Sequence, residues 1–164
     1  MMNPRPGRSI PLTTYLGNQI PNAIDVDATP GMVAFARQQH NALINTVGVW
    51  EVGPPSGRYN CHGLVFASRR TNIPPAGLAS AGLIEMILRE DQFYPIPEAD
   101  AREGDIALWR SERDVEHTGI VCRVERDPFR VVFVWSMWGG LGEFVHNLAC
   151  TPYNWCQVEF WRMT

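Results

Sequence analysis

Apolar positions recur along this chain at two different spacings, and the change from one to the other divides it. Thr29-Pro30 offers an N-cap followed by proline at the first helical position, and Met32, Phe35, Ala36, Gln39 and Leu43 trace a three-four spacing. This predicts a helix ending near Gly48. Leu64, Val65, Ala67 and Ser68 continue a second helix from Cys61 until Asn72-Ile-Pro-Pro, where the prolines stop it. A third fits Leu78 to Arg89, with Leu83, Ile84, Ile87 and Leu88 as its apolar stripe.

After Pro95 and Pro97 the pattern turns strand-like, over Asp105–Trp109, His117–Val124, Arg130–Ser136 and Trp155–Arg162. Helices first and strands afterwards predict an α+β class, with N-terminal helices packed on a C-terminal antiparallel sheet. Residues 1–28 are rich in Pro, Gly, Asn and Thr without a period and read as an arm of little chemistry. Residues 29–164 then form a single domain, in which Glu51 to Gly57 is a loop by its prolines and glycines.

Composition narrows the partners. With 164 residues, 45% hydrophobic and 19% charged, the chain can bury a real core. Its 14 Lys+Arg against 17 Asp+Glu give net charge -3 without a basic block, which argues against nucleic acid. Trp135, Trp138, Trp155 and Trp161 lie in or near strand-like segments, so core packing is their expected use. The absence of a long apolar run and of an apolar segment after Met1 predicts a protein made in the cytoplasm without a membrane partner, with export by a signal-independent route left open. Cys61, Cys122, Cys150 and Cys156 lack disulfide-scaffold spacing and are expected as free thiols, Cys150 and Cys156 pairing only in an oxidising compartment.

The candidate chemistry centres on Arg58-Tyr-Asn-Cys-His-Gly-Leu-Val65. Asn60 is a good N-cap, so Cys61 would sit in the first turn of a helix, where unpaired N–H groups and the helix dipole favour thiolate over thiol. Its own N–H would point toward an oxygen developing on an attacked carbonyl. A buried structural cysteine is the blander reading of Cys61 alone. His117, at the mouth of a strand after a charged loop, suits a general base within reach of the sulfur. Asp105 reads as a turn residue bonding backbone amides. A zinc site from Cys61, His62 and His117 is disfavoured, since adjacent Cys and His rarely reach one tetrahedral ion, and no cofactor is expected.

Three blocks in this order, Cys61-His-Gly-Leu-Val65, Gly104-Asp-Ile-Ala-Leu-Trp109 and His117-Thr-Gly-Ile-Val121, resemble the papain-like cysteine hydrolases of the NlpC and CHAP type, best known as bacterial cell-wall amidases and endopeptidases. The resemblance covers roughly residues 58–137, and the cysteine precedes the histidine, unlike the permuted relatives. It implies a papain-like fold with Cys61 as nucleophile, His117 as base and a third polar residue on the following strand. A hairpin turning at Arg126-Asp127 would set Ser136 opposite His117, with Glu143 or His146 as alternatives. Tyr59, Asn60 and His62 are the candidate substrate contacts, and His62 departs from the small hydroxyl residue usual in the family. The implied substrate is an amide or peptide bond of peptidoglycan, cleaved by a secreted effector or phage product with a cognate inhibitor protein as a further partner. The alternatives are a deamidase, acyltransferase or peptidase acting on a cytosolic protein or small amide, and a catalytically silent binding module.

Overall fold

The computed structural model describes residues 7–74 and 82–164. Two short helices, α1 (Pro30–Gln39) and α2 (Asn41–Ile44), precede the strand β1 (Val49–Gly53), and α3 (Cys61–Phe66) and α4 (Leu83–Glu90) follow. The strands β2 (Phe93–Ile96), β3 (Ile106–Arg110), β4 (Val115–Glu125), β5 (Val131–Met137), β6 (Glu143–Asn147) and β7 (Gln157–Met163) complete the chain. All seven strands join one antiparallel sheet in the order β1-β6-β5-β4-β3-β7-β2. The α+β class therefore holds, and no helix among the described residues is long and apolar enough to cross a membrane.

Strand alternation sorts the core into two sides. Ile106, Leu108 and Val115 face Leu83, Ile84, Ile87 and Leu88 of α4. Ala107, Trp109, Val121, Val134 and Phe160 face the other way, with Leu148 and Tyr153 from the loop before β7 packed against them. On that second side Val49 and Phe144 are covered by Ala36, Leu43 and Ile44, so α1 and α2 lie across the sheet from α3 and α4. Helices thus cover both sides of the sheet.

The first predicted helix breaks at His40, and although Thr29 caps it by accepting from the Met32 N–H, Met32 and Phe35 of its stripe are exposed. The second stops at Phe66, because Ser68 and Arg69 take positive φ. The turn aims the Arg69 guanidinium at buried Glu143, its Nε 2.7 Å from Oε1. In the third, α4 carries the expected stripe from Leu83, and positions 78–81 fall outside the described residues. Three strands come in addition to those expected: β1, partly within the presumed loop, β2 and β6. The arm is anchored rather than loose, with Leu12, Ile20 and Ile24 buried and Thr14 Oγ1 donating to Glu90 Oε2 at 2.6 Å. Trp138 is buried as expected, but Trp155 is 65% exposed.

Gly63 lets α3 approach its neighbours closely: a Cβ there would overlap the Thr71 carbonyl oxygen. Gly63→Ala should therefore destabilise the protein by about 1–3 kcal/mol through overpacking, whereas Gly140→Ala, where the added Cβ meets only Ala28 at 3.8 Å, should cost much less. Denaturant melts of the two variants check this, and equal losses would refute the close approach.

Candidate functional site

Asn60 builds the start of α3 with every polar atom of its side chain. Its Oδ1 accepts from the Gly63 N–H at 2.9 Å and from the Ile73 N–H at 3.2 Å, and its amide donates to the Ile73 carbonyl at 2.6 Å. The expected cap is present. Cys61 follows it, 7% exposed and packed among Leu64, Met137, Tyr59 and Trp135.

Burial pushes the Cys61 thiol up to about 11, and the polar groups of Thr118 and the backbone N–H groups of His62 and Cys61, which lower it, do not offset that. The stabilised thiolate expected from the sequence is therefore not what the structure shows. With only six residues, α3 has a small dipole, and desolvation outweighs it.

Beside the thiol, His62 is fully buried, its Nδ1 3.1 Å from Thr118 Oγ1 and its Nε2 without a partner among the described residues. It is a core residue against β4 rather than a substrate contact. Tyr59 donates its hydroxyl to Glu143, and burial followed by that carboxylate raises its pKa to about 12. Glu143 also accepts from Trp135 Nε1 at 2.7 Å and pairs with Arg69. Tyr59 and Asn60 can line a substrate path, but their side-chain polar atoms are already engaged.

Thr118 faces Cys61 and His62, so alternation sends His117 to the side of Trp109. There His117 lies flat on Tyr153, ring centroids 4.1 Å apart at 9°, and tilted against Trp109 at 5.2 Å. Tyr153 is also an electrostatic neighbour of Cys61, which helps raise its pKa after burial. Cys61 thus lies on the Thr118 side of β4, and His117 on the Trp109 side with Tyr153 packed on it. Neither ring nitrogen of His117 has a hydrogen-bond partner among the described residues, so the cysteine and histidine are not hydrogen-bonded. Burial, then His146 and His62, hold the His117 pKa well below its ordinary value, leaving a neutral imidazole.

Ser136 does not face His117. The β4–β5 turn spans Arg126 to Arg130 and β4 bulges near Cys122, so Ser136 pairs with Gly119. Its Oγ accepts from Trp138 Nε1 at 3.0 Å and lies 2.8 Å from His146 Nε2. His146 Nδ1 must donate to the Asn147 carbonyl at 2.8 Å, which makes Nε2 the acceptor of the serine proton. Both alternatives for the third residue are likewise engaged: His146 in this chain and Glu143 by Tyr59, Arg69 and Trp135.

Two cavities adjoin these residues. One of about 620 Å³ lies between the arm at Val26 to Thr29 and Gly139–Gly140 and ends at Tyr59 and Asn60, just before Cys61. The other, about 640 Å³, is lined by Arg113, Trp155 and Glu116, the residue before His117. The arm, expected to carry little chemistry, thus walls the first of them. Asp105 has the turn role expected, its Oδ2 accepting from the Arg102 N–H at 2.7 Å, and it also binds Arg162 with both oxygens. No group of three His, Cys, Asp or Glu among the described residues is placed to hold a metal ion, and Cys61, Cys122, Cys150 and Cys156 are free thiols.

No protein-family model, curated protein or solved structure matches this chain. The site stands on its own geometry.

Burial lowers His62 and His146 from 6.5 to about 4, so between those values the unfolded chain binds protons that the folded chain refuses. Stability should therefore fall as pH drops from about 6.5 to about 4, and His146→Gln should flatten that slope. Melting temperatures measured across the range test this; a flat wild-type profile would contradict the burial of neutral imidazoles.

Proposed function

We propose that this protein is a papain-like cysteine hydrolase that cleaves an amide or peptide bond, with Cys61 as nucleophile and His117 as base. The observation that carries the reading is the packing of α3 on β4, which brings Cys61 against Thr118, the residue that follows His117 on that strand. The order of the cysteine helix, the Gly104-Asp105 strand and the His117 strand supports it.

Both groups rest in their neutral forms, so the site works by proton transfer during attack rather than from a preformed ion pair. As the sulfur bonds to the substrate carbonyl carbon, the thiol proton passes to a ring nitrogen of His117, which turns toward Cys61 as the Tyr153 side of the site opens. The oxyanion forms toward the first-turn N–H groups of Cys61 and His62, both of which already act on the sulfur. Collapse breaks the C–N bond, and the imidazolium gives its proton to the leaving amine. Water then attacks the thioester with His117 again as base, releasing the acid and restoring the thiol. Movement of the Tyr153 side of the site admits substrate, since His117 is fully buried.

A peptide of peptidoglycan is the first substrate to test, followed by cytosolic proteins and small amides. A second reading, a silent papain-like module, draws on the unpartnered nitrogens of His117 and the raised pKa of Cys61.

Cys61→Ala should abolish turnover, and His117→Gln should lower it by at least ~100-fold. His117→Ala should also lower the melting temperature, because it opens a cavity beside Trp109 and Tyr153. Product release by the wild type and the variants, paired with thermal melts, decides. Full turnover in His117→Gln would remove His117 as base, and wild-type inactivity on all three substrate classes would leave the silent module.

A further inference from the structure

Every polar side chain considered as the orienting partner of His117 is engaged elsewhere. Ser136 and His146 belong to the chain from Trp138 to the Asn147 carbonyl, and Glu143 is saturated by Tyr59, Arg69 and Trp135. The His117 ring is nevertheless fully buried, between the parallel ring of Tyr153 and the tilted ring of Trp109. We propose that Tyr153 is a positioning residue that orients the catalytic imidazole by ring stacking, in place of a hydrogen bond from a polar third residue.

The proposal rests on the cysteine hydrolase reading of Cys61 and His117 and adds a residue to it. Tyr153 is suited to the task because its loop is tied down. Its N–H donates to Thr151 Oγ1 at 3.4 Å, its carbonyl accepts from the Cys156 N–H at 3.0 Å, and its ring packs on the core around Trp109 and Phe160. Thr151 itself is 1% exposed. Stacking restricts the plane of the imidazole while leaving both nitrogens free, as a group that must take and then return a proton requires. The same ring excludes water, which favours the neutral imidazole. The titratable groups around His117 are His62 from α3, His146 from β6, Tyr153 itself and the preceding Glu116, which also acts on Tyr153. Glu116 adds a carboxylate on the side of Tyr153, so removing the stacked ring should raise the His117 pKa by hydration and by that charge together.

Three variants separate orientation from simple packing. Tyr153→Phe keeps the ring and should retain kcat within about twofold. Tyr153→Ala should lower kcat by about 10- to 100-fold with KM little changed, in the range expected for misplacing a catalytic group. It should also move the acid limb of the kcat profile upward and shift the His117 ring titration, followed by NMR, toward ordinary histidine values. Tyr153→Leu keeps an apolar cover and serves if the alanine variant unfolds; it should show the same loss of kcat. Undiminished kcat in the leucine variant, or a loss in Tyr153→Phe equal to that in Tyr153→Ala, would overturn the proposal. The NMR arm needs no turnover: an unmoved His117 titration in Tyr153→Ala overturns stacking control even if Cys61 and His117 prove inert, whereas a shifted titration without turnover counts against the hydrolase reading alone.

Discussion

The side-chain amide of Asn60 is the contact on which the rest of the site depends. One oxygen caps the first turn of α3 at Gly63 and, with the side-chain nitrogen, ties it to the backbone of Ile73, so the helix cannot pivot without breaking both hydrogen bonds to Ile73. Gly63 then presses against Thr71, and Cys61 is delivered onto β4 at Thr118. Deleting an N-cap of this kind typically costs about 1 kcal/mol. Here the loss would also release Cys61 from its seat.

Placing that seat inside the core has an electrostatic consequence. Cys61, His62, His117 and His146 are all buried, and desolvation favours the uncharged form of each. Charge is kept to one side, where Glu143 is matched by Arg69 and by neutral donors from Tyr59 and Trp135, with the guanidinium lying over the Trp135 ring at 4.1 Å. At rest the Cys61 thiol and the His117 imidazole are both neutral. The proposed attack must therefore generate its ions only as bonds change.

Much of this was legible in the residues. β3, β4, β5 and β7 could be read directly as apolar runs of strand-forming residues, as could the Thr29 and Asn60 caps and the turn role of Asp105. The strands missed lack that signal for physical reasons. β1 and β2 are sheet edges, β1 with exposed Trp50 and Val52 and β2 with Pro95, which only an edge tolerates. β6 carries Glu143 and His146, polar residues buried by long-range partners that no local pattern announces. The partner of His117 was illegible for the same reason: Tyr153 lies in an aperiodic loop, and the turn and bulge that turn Ser136 away are set by the sheet.

The central claim is that Cys61, assisted by His117, attacks an acyl carbon. The most direct measurement is acylation by a small activated ester such as p-nitrophenyl acetate, read by intact mass and peptide mapping. The account predicts a single acetyl group on Cys61 in the wild type and much slower acetylation in His117→Gln. Modification of Cys122, Cys150 or Cys156 with Cys61 untouched would contradict it.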